Sequence, residues 1–229
     1  MDHGDRDAQV EAVAALAEPT RRRVYDHVVR QPEPVTRDEA ATALDLPRAT
    51  AAFHLDRLVD EGLLDIGFER RTGRTGPGAG RPAKLYRRAE CSVSVSLPER
   101  RYDLAGRLLA DAVADAASTG ESPTTALERR AHERGRELGE AAGGSGAGNE
   151  VVLRVLEEQG FEPRVEDGAI TLANCPFHTL AQEHTELVCG MNLRLLDGVL
   201  EGVPSAGLVA RLQPAPGRCC VRMEPTRTA

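Results

Sequence analysis

The chain has 229 residues, of which 41% are hydrophobic and 28% charged, a composition typical of a folded globular protein. Taken over the whole chain, the formal net charge of −7 argues against nucleic-acid binding, so the local distribution of charge has to decide. The first ten residues contain no secretion signal and no apolar stretch reaches the length of a membrane span, so we expect a cytoplasmic protein without a membrane partner.

The N-terminal part of the chain begins with two predicted helical segments. Apolar residues recur with helical spacing over residues 7–29, and Pro19 inside that stretch predicts a kink or a helix boundary. Thr36 followed three residues later by Glu39 has the pattern of a capping box. A short helix is therefore predicted from Thr36 to about Ala43.

A third helix and a hairpin follow directly. Pro47 suits the first position of a helix that runs to about Glu61 and ends at Gly62. Residues 63–70 and 83–88 are predicted strands, separated by a loop rich in glycine and arginine. Three helices followed by a two-stranded wing is the element order of a winged helix–turn–helix, which binds DNA.

The third helix predicts one buried face and one outward face. At 100° per residue, Ala51, Leu55 and Leu58 share the face that packs on the preceding helices. Phe53 lies on the opposite face, where it either contacts a thymine methyl in the major groove or folds back onto a neighbouring element. Arg48 lies at the N-terminal end, where recognition helices usually meet base edges.

Positive charge is concentrated in the predicted wing. Residues 1–90 carry 15 Lys and Arg against 16 Asp and Glu, whereas within 66–90 the basic residues outnumber the acidic ones. Arg81, held between Gly80 and Pro82, suits insertion into a narrow minor groove; the alternative is an ordinary basic loop. The residues predicted to meet DNA are Arg48, Ala49, Thr50, Phe53, His54, Arg57, Arg70, Arg71, Arg74, Arg81 and Lys84.

These motifs resemble a known class of regulators. The stretch ALAEPTRRRV at residues 15–24 resembles the first helix of ArsR-type regulators, and LPRATAAFHLDRLVDEGLL at 46–64 resembles their recognition helix. The GRPAKLY wing at 80–86 is more similar to the SufR-like and DeoR-like regulators. The DNA-facing Ser and His usual in ArsR-type proteins are replaced by Ala52 and Phe53, so no sequence preference can be carried over.

The remainder of the chain predicts further helices and a small mixed domain. Helices are expected over residues 98–117, 124–142, 151–159 and 177–203, strands over 169–172, 208–212 and 220–223, and a Gly-rich linker over 143–148. The predicted fold class is therefore α+β. We expect three parts: a winged-helix domain at 1–90, a helical linker and dimerisation region at 91–148, and a Cys-containing α+β sensor domain at 149–229.

Four of the five cysteines lie in this last part, at Cys175, Cys189, Cys219 and Cys220. Thiolates suit zinc or an iron–sulfur cluster, and His178 and His184 are additional candidate ligands. In one unbroken helix Cys175 and Cys189 would lie about 20 Å apart, so a single site requires a helix break. Thr185 followed by Glu186 is a plausible new helix start.

This Cys pattern resembles the C-terminal domain of SufR-like regulators. The resemblance implies an iron–sulfur cluster held by Cys175, Cys189 and either Cys219 or Cys220, with the fourth ligand open. The alternatives to an iron–sulfur cluster are zinc and metal-free thiols that act as a redox switch. A further alternative is that the four cysteines are small buried apolar residues that hold no metal. Cys91 lies outside the pattern and is read as a structural or incidental thiol.

Three functions follow from these patterns. The first is a homodimeric regulator of double-stranded DNA, with helix 98–117 as the dimer seam and operator affinity controlled by a metal or iron–sulfur cluster. The second keeps DNA binding but senses an organic ligand or oxidants through thiols. The third is a thiol enzyme using Cys175 with His178 as base, which leaves the basic wing unexplained, so we expect no enzymatic activity.

Overall fold

A computed structural model describes residues 3–69, 82–143, 148–203, 206–215 and 217–226. The chain divides into two compact units, residues 1–95 and 96–229. Each unit has a hydrophobic core of its own. This division differs from the three-part prediction because the helices predicted as a linker lie in the core of the second unit.

The first unit contains four helices and a small sheet. The helices are α1 (His3–Ala15), α2 (Pro19–Val29), α3 (Arg37–Leu44) and α4 (Arg48–Asp60), and the strands are β1 (Val35–Thr36), β2 (Leu64–Glu69) and β3 (Ala83–Arg88). The strands pair antiparallel in the order β1-β3-β2. The helix order and the two-stranded wing confirm the prediction, while the two-residue strand β1 was not expected.

Local capping explains where these helices begin. The Glu18 carboxylate accepts hydrogen bonds from the Thr20 and Arg21 amides, and Pro19 occupies the first turn of α2, where its missing N–H is not needed. At α3 the predicted capping box is present: the Thr36 amide donates to the Glu39 carboxylate at 2.7 Å, and the Glu39 amide donates to the Thr36 hydroxyl at 3.2 Å.

The predicted inner face of α4 is confirmed. Ala51, Leu55 and Leu58 are fully buried, and Leu55 and Leu58 pack in one cluster with residues of α2 and the sheet. This burial fixes the rotation of α4 about its axis, because an apolar stripe of three residues over two turns admits one packed orientation. The opposite face is therefore directed to solvent.

The second unit is also a mixture of helices and one sheet. Its helices are α5 (Tyr102–Thr119), α6 (Pro123–Ala141), α7 (Gly148–Glu158), α8 (His178–Glu183) and α9 (Thr185–Gly202). Its strands are β4 (Pro163–Glu166), β5 (Ala169–Leu172), β6 (Leu208–Leu212) and β7 (Val221–Pro225), paired antiparallel in the order β4-β5-β7-β6. Both units together confirm the α+β class, and the helix break before Thr185 is where the sequence predicts it.

Glycines allow α6 and α9 to pack backbone against backbone. A Cβ added to Gly198 would fall on the carbonyl oxygen of His132, and one added to Gly135 would fall on that of Leu195. The close approach leaves no room for any larger side chain at these two positions. Both helices contribute buried residues to the hydrophobic core of the second unit.

The structure differs from the sequence expectation at α5 and at β4. Helix α5 begins at Tyr102, four residues later than predicted, and strand β4 was not expected. The core of the linker predicted at 143–148, residues 144–147, lies outside the described residues. Within the described part of the chain, no helix combines the length and apolarity needed to cross a membrane.

Candidate functional site

The outward face of α4 presents an exposed aromatic side chain. Phe53 is 64% exposed and contacts only the edge of the His54 ring among aromatic groups of the described residues. The alternative in which Phe53 folds back onto a neighbouring element is therefore not realised. Ala49 and Arg57 are exposed on the same side of the helix, and Thr50 is half-buried.

The basic residues of α4 are held by carboxylates. Arg48 donates from Nε to Asp38 Oδ1 at 2.7 Å and from Nη2 to Asp38 Oδ2 at 2.5 Å. Arg57 pairs with Glu61 one turn along the helix. Because both arginine side chains remain more than half exposed, these pairs contribute little to stability and can open to contact a phosphate.

A third ion pair connects α4 to the wing. Asp56 accepts hydrogen bonds from Lys84 Nζ at 2.5 Å and from the Tyr86 hydroxyl at 2.9 Å. Partial burial raises the pKa of Asp56, but the hydrogen bonds from Lys84 and Tyr86 outweigh burial and leave that pKa lowered. Burial and the same carboxylate raise the pKa of Tyr86. The carboxylate thus stays charged and holds the strand against the helix.

His54 is placed differently from the sequence expectation. Its side chain is 8% exposed, and its Nδ1 lies 3.6 Å from the Glu18 carboxylate that caps α2. At 100° per residue, His54 lies only 40° from Leu58, so the buried face of α4 is wider than three apolar residues indicate. His54 therefore belongs to the packing between α2 and α4 and does not face outward to reach a phosphate.

The wing is described in part. Strands β2 and β3 pair in register from Leu64 opposite Arg88 to Glu69 opposite Ala83, as a hairpin requires. Lys84 lies on β3 with its side chain over the Tyr86 ring, 5.1 Å from the ring centre. The predicted phosphate and minor-groove contacts Arg70, Arg71, Arg74 and Arg81 lie outside the described residues.

Residues 16–66 match the family of helix-turn-helix domains. The match spans α2, α3, α4 and the start of β2, which are the elements that bring Phe53 and Arg48 to the surface. The helix-turn-helix domain supports a DNA-binding transcriptional regulator. No curated protein and no solved structure matches the chain.

The second unit gathers four cysteines from three separate segments. Cys175 precedes α8, Cys189 lies in the second turn of α9, and Cys219 and Cys220 lie immediately before β7. All four are free thiols, and Cys175, Cys189 and Cys219 are buried. Cys175 and Cys219, Cys219 and Cys220, and Cys220 and Cys189 lie near enough in pairs to shift one another's pKa. Thiols distant in sequence are thus neighbours in space.

Burial raises the pKa of the Cys175, Cys189 and Cys219 thiols and keeps these three protonated. The interaction with Cys219, together with burial, raises the pKa of Cys175 far above its usual range. The interaction with Cys175 lowers the pKa of Cys219, but Cys220 and burial outweigh it and raise the pKa to about 12. Burial also raises the pKa of Cys189. A raised pKa is the opposite of what a nucleophilic catalyst needs, which weighs against the thiol-enzyme hypothesis for Cys175.

Asn192 is a member of this cluster that sequence reasoning missed. Its Nδ2 donates a hydrogen bond to Cys219 Sγ at 3.2 Å, while its Oδ1 is buried without a hydrogen-bond partner in the described part of the protein. Burying an unpaired amide oxygen costs free energy, so this group is available to a ligand or a solvent molecule. The signal in the sequence was an amide side chain three residues after Cys189 on an otherwise apolar helix face.

The donor chemistry suits a thiophilic metal, but the arrangement of the described side chains does not. Four thiol sulfurs are the ligand type that zinc and iron–sulfur clusters take. Over the described ranges, however, no group of three or more His, Cys, Asp or Glu residues is placed to hold a metal ion. The candidate ligands His178 and His184 are exposed, and the His178 ring contacts Gln182 instead.

A small polar cavity opens beside Cys219. It has a volume of about 270 Å³, and Arg218 and Arg222 line it together with Gln213 and Thr171. None of the described residues that line it is acidic, although the chain as a whole is acidic. The cavity places a small solute next to Cys219, a member of the cysteine cluster.

Proposed function

We propose that the protein is a homodimeric transcriptional regulator whose affinity for its DNA operator is controlled by the cysteine cluster of its second unit. The DNA-binding part rests on the helix-turn-helix domain at 16–66 and the exposed outer face of α4. The sensing part rests on one observation: Cys175, Cys189 and the Cys219–Cys220 pair come together from three separate segments. A change at this cluster would favour one of two states with different operator affinities.

The primary candidate for the controlling group is an iron–sulfur cluster, with zinc as the alternative. Cys175, Cys189, Cys219 and Cys220 supply the thiolate ligands that either group needs, and an iron–sulfur cluster would add sensitivity to oxidants and iron supply. Since no three of the described candidate ligands are placed to hold a metal ion, the metal-bound form would differ from the described arrangement at these side chains. Loading would therefore be accompanied by a local rearrangement.

Anaerobic purification followed by a visible absorption spectrum and metal analysis tests whether the cysteines hold an iron–sulfur cluster or zinc. Broad visible absorbance with stoichiometric iron and sulfide is the expected result, and Cys175→Ser should abolish it. Cys91→Ser is the matched control, because Cys91 is exposed and its thiol donates a hydrogen bond to the Gly62 carbonyl of the first unit at 3.2 Å. A colourless protein that contains neither iron nor zinc overturns the metal-controlled version and leaves DNA binding untouched.

A metal-free thiol switch is the second candidate, favoured by the contact between Cys175 and Cys219. In the presence of a peroxide, these two thiols would lose two hydrogens and form a disulfide while the peroxide is reduced to water or an alcohol. The cavity beside Cys219 would admit the oxidant. DNA affinity that changes after peroxide treatment, in the wild type but not in Cys219→Ser, supports this version. Unchanged affinity contradicts it.

The dimer is proposed on α5. Tyr102 and Val113 are 39% and 61% exposed, and at 100° per residue they share one face of this helix, away from the buried Leu104 and Leu108. An exposed apolar stripe of this kind suits an antiparallel contact with a second copy. Val113→Glu should shift the mass in solution from dimer to monomer, measured by light scattering. Asp111→Asn, which changes charge on the same helix outside the stripe, should leave the dimer intact.

A further inference from the structure

The outer face of α4 carries a patch of apolar side chains. Ala49, Ala52, Phe53 and Asp56 are spaced at i, i+3, i+4 and i+7 and so form one continuous face. Ala49 and Phe53 are exposed, and Ala52 is half-buried beside them. Phe53 has the most exposed aromatic ring of this helix, at 64%.

Two charged side chains beside this apolar face, Arg48 and Asp56, are engaged within the domain. Arg48 is held by both oxygens of Asp38, and Asp56 accepts from Lys84 and Tyr86. Reading a base edge through any of these groups requires an existing ion pair or hydrogen bond to break. The three apolar side chains need no such rearrangement, because they have no polar partner to lose.

Base edges in the major groove offer one apolar group, the C5 methyl of thymine. The other groups exposed there are hydrogen-bond donors and acceptors, which an alanine or phenylalanine side chain cannot satisfy. A helix that meets the groove with Ala49, Ala52 and Phe53 therefore gains most where thymines lie beneath it. Placing the same side chains over guanine or cytosine buries polar atoms without partners.

We propose that α4 recognises its operator mainly through thymine methyl groups, with Phe53 as the principal contact and Ala49 and Ala52 beside it. This inference rests on the proposed DNA-binding function and names the class of sequence that the domain selects. Burial of one methyl group is worth about fourfold in affinity at ordinary hydrophobic transfer energies. The operator should accordingly contain thymines at fixed positions in each half-site.

The test uses the full chain and a pool of random-sequence duplexes. Bound duplexes are selected and sequenced, and each thymine of the recovered site is then replaced in turn by deoxyuridine, which removes the methyl and nothing else. We expect about fourfold weaker binding by fluorescence anisotropy at one or two positions in each half-site. In Phe53→Ala, thymine and uracil should bind equally at the position that Phe53 contacts.

Phe68→Ala is the matched control, because Phe68 is 63% exposed but lies on β2 rather than on α4. This variant should keep the discrimination between thymine and uracil. Affinity that does not respond to deoxyuridine, or a Phe53→Ala variant that still discriminates, overturns methyl recognition while leaving the regulator proposal in place. Failure to recover any duplex overturns both. A thermal melt shows that both alanine variants are folded.

Discussion

The Tyr86 hydroxyl on β3 donates a 2.9 Å hydrogen bond to the Asp56 carboxylate on α4. With Lys84 bonded to the same carboxylate, two residues of the wing are connected to the helix that we propose reads DNA. These bonds hold strand and helix in a fixed mutual orientation, which would limit how the helix-turn-helix domain can dock on DNA. In the proposed complex, the Asp56 carboxylate would lie on the side facing DNA and occupy a lysine that phosphate would otherwise attract.

Asp56→Asn should strengthen DNA binding and make it more sensitive to salt. The substitution removes a negative charge and frees Lys84 to engage one more phosphate, which steepens the slope of log affinity against log salt by about one. The measurement is a series of binding isotherms at increasing salt. Asp60→Asn removes the same charge one turn further along α4, where the residue makes no ion pair with the described residues, and should leave the slope unchanged. An unchanged slope in Asp56→Asn would mean that Lys84 does not reach phosphate.

Gly198→Ala should strongly destabilise the second unit. Its added Cβ would meet the His132 carbonyl on α6, and neither backbone can move without separating the helices. Overpacking of this kind costs about 3 kcal/mol in free energy of unfolding, measured by urea denaturation. Gly106→Ala is the control: it lies in α5 with nothing within 4 Å of its added Cβ, and should stabilise the protein by up to about 1 kcal/mol.

Local signals in the sequence were sufficient for the helix-turn-helix domain. The capping box at Thr36 and the apolar spacing of Ala51 and Leu58 each involve residues within two helical turns, and such interactions can be read from the chain directly. Strand β1 escaped prediction because it has two residues, and β4 because two of its four residues Pro163–Glu166 are charged, unlike the mostly apolar and equally short β5. Their existence depends on pairing with strands elsewhere in the chain.

In both candidate sites, contacts between residues far apart in the sequence could not be predicted from local patterns. His54 packs beside Glu18, which lies 36 residues earlier, and helical periodicity alone cannot reveal that contact. Asn192 donates to Cys219 across a sequence separation of 27 residues, so no local motif identifies it. The sequence alone indicated only that a single cysteine site requires a break in the helix predicted over 177–203. The structure has that break before Thr185.

Thr36→Ala should remove the cap of α3 and lower the stability of the helix-turn-helix domain. The Thr36 hydroxyl accepts the Glu39 amide hydrogen bond at 3.2 Å, and loss of such a cap costs about 1 kcal/mol. Chemical denaturation followed by circular dichroism gives the change in free energy of unfolding. Thr42→Ala makes the same substitution at an exposed site inside α3 and should change stability by a few tenths of a kcal/mol at most. Equal losses in the two variants would argue that the cap contributes nothing.

Asp115 should make the second unit sensitive to acid. Hydrogen bonds from Arg130 and Arg129 hold the pKa of this carboxyl far below its usual range. The pKa of this carboxyl is lower in the folded chain than in the unfolded chain, where it is about 3.9. Its charge therefore stabilises the fold fully above the unfolded pKa, and this contribution is lost as the pH falls below that value. Asp115→Asn should therefore be less stable than the wild type at pH 7, and the difference should shrink steadily as the pH is lowered from about 4.

The comparison is made by thermal unfolding of both proteins across pH 2 to 7. Asp111→Asn provides the control, because Asp111 lies one turn earlier on α5 and makes no ion pair within the described part of the chain. Its stability should follow the wild type at every pH. If the difference between Asp115→Asn and the wild type were instead constant from pH 7 to pH 2, the two arginines would stabilise the fold through packing of their side chains and not through the charge of Asp115.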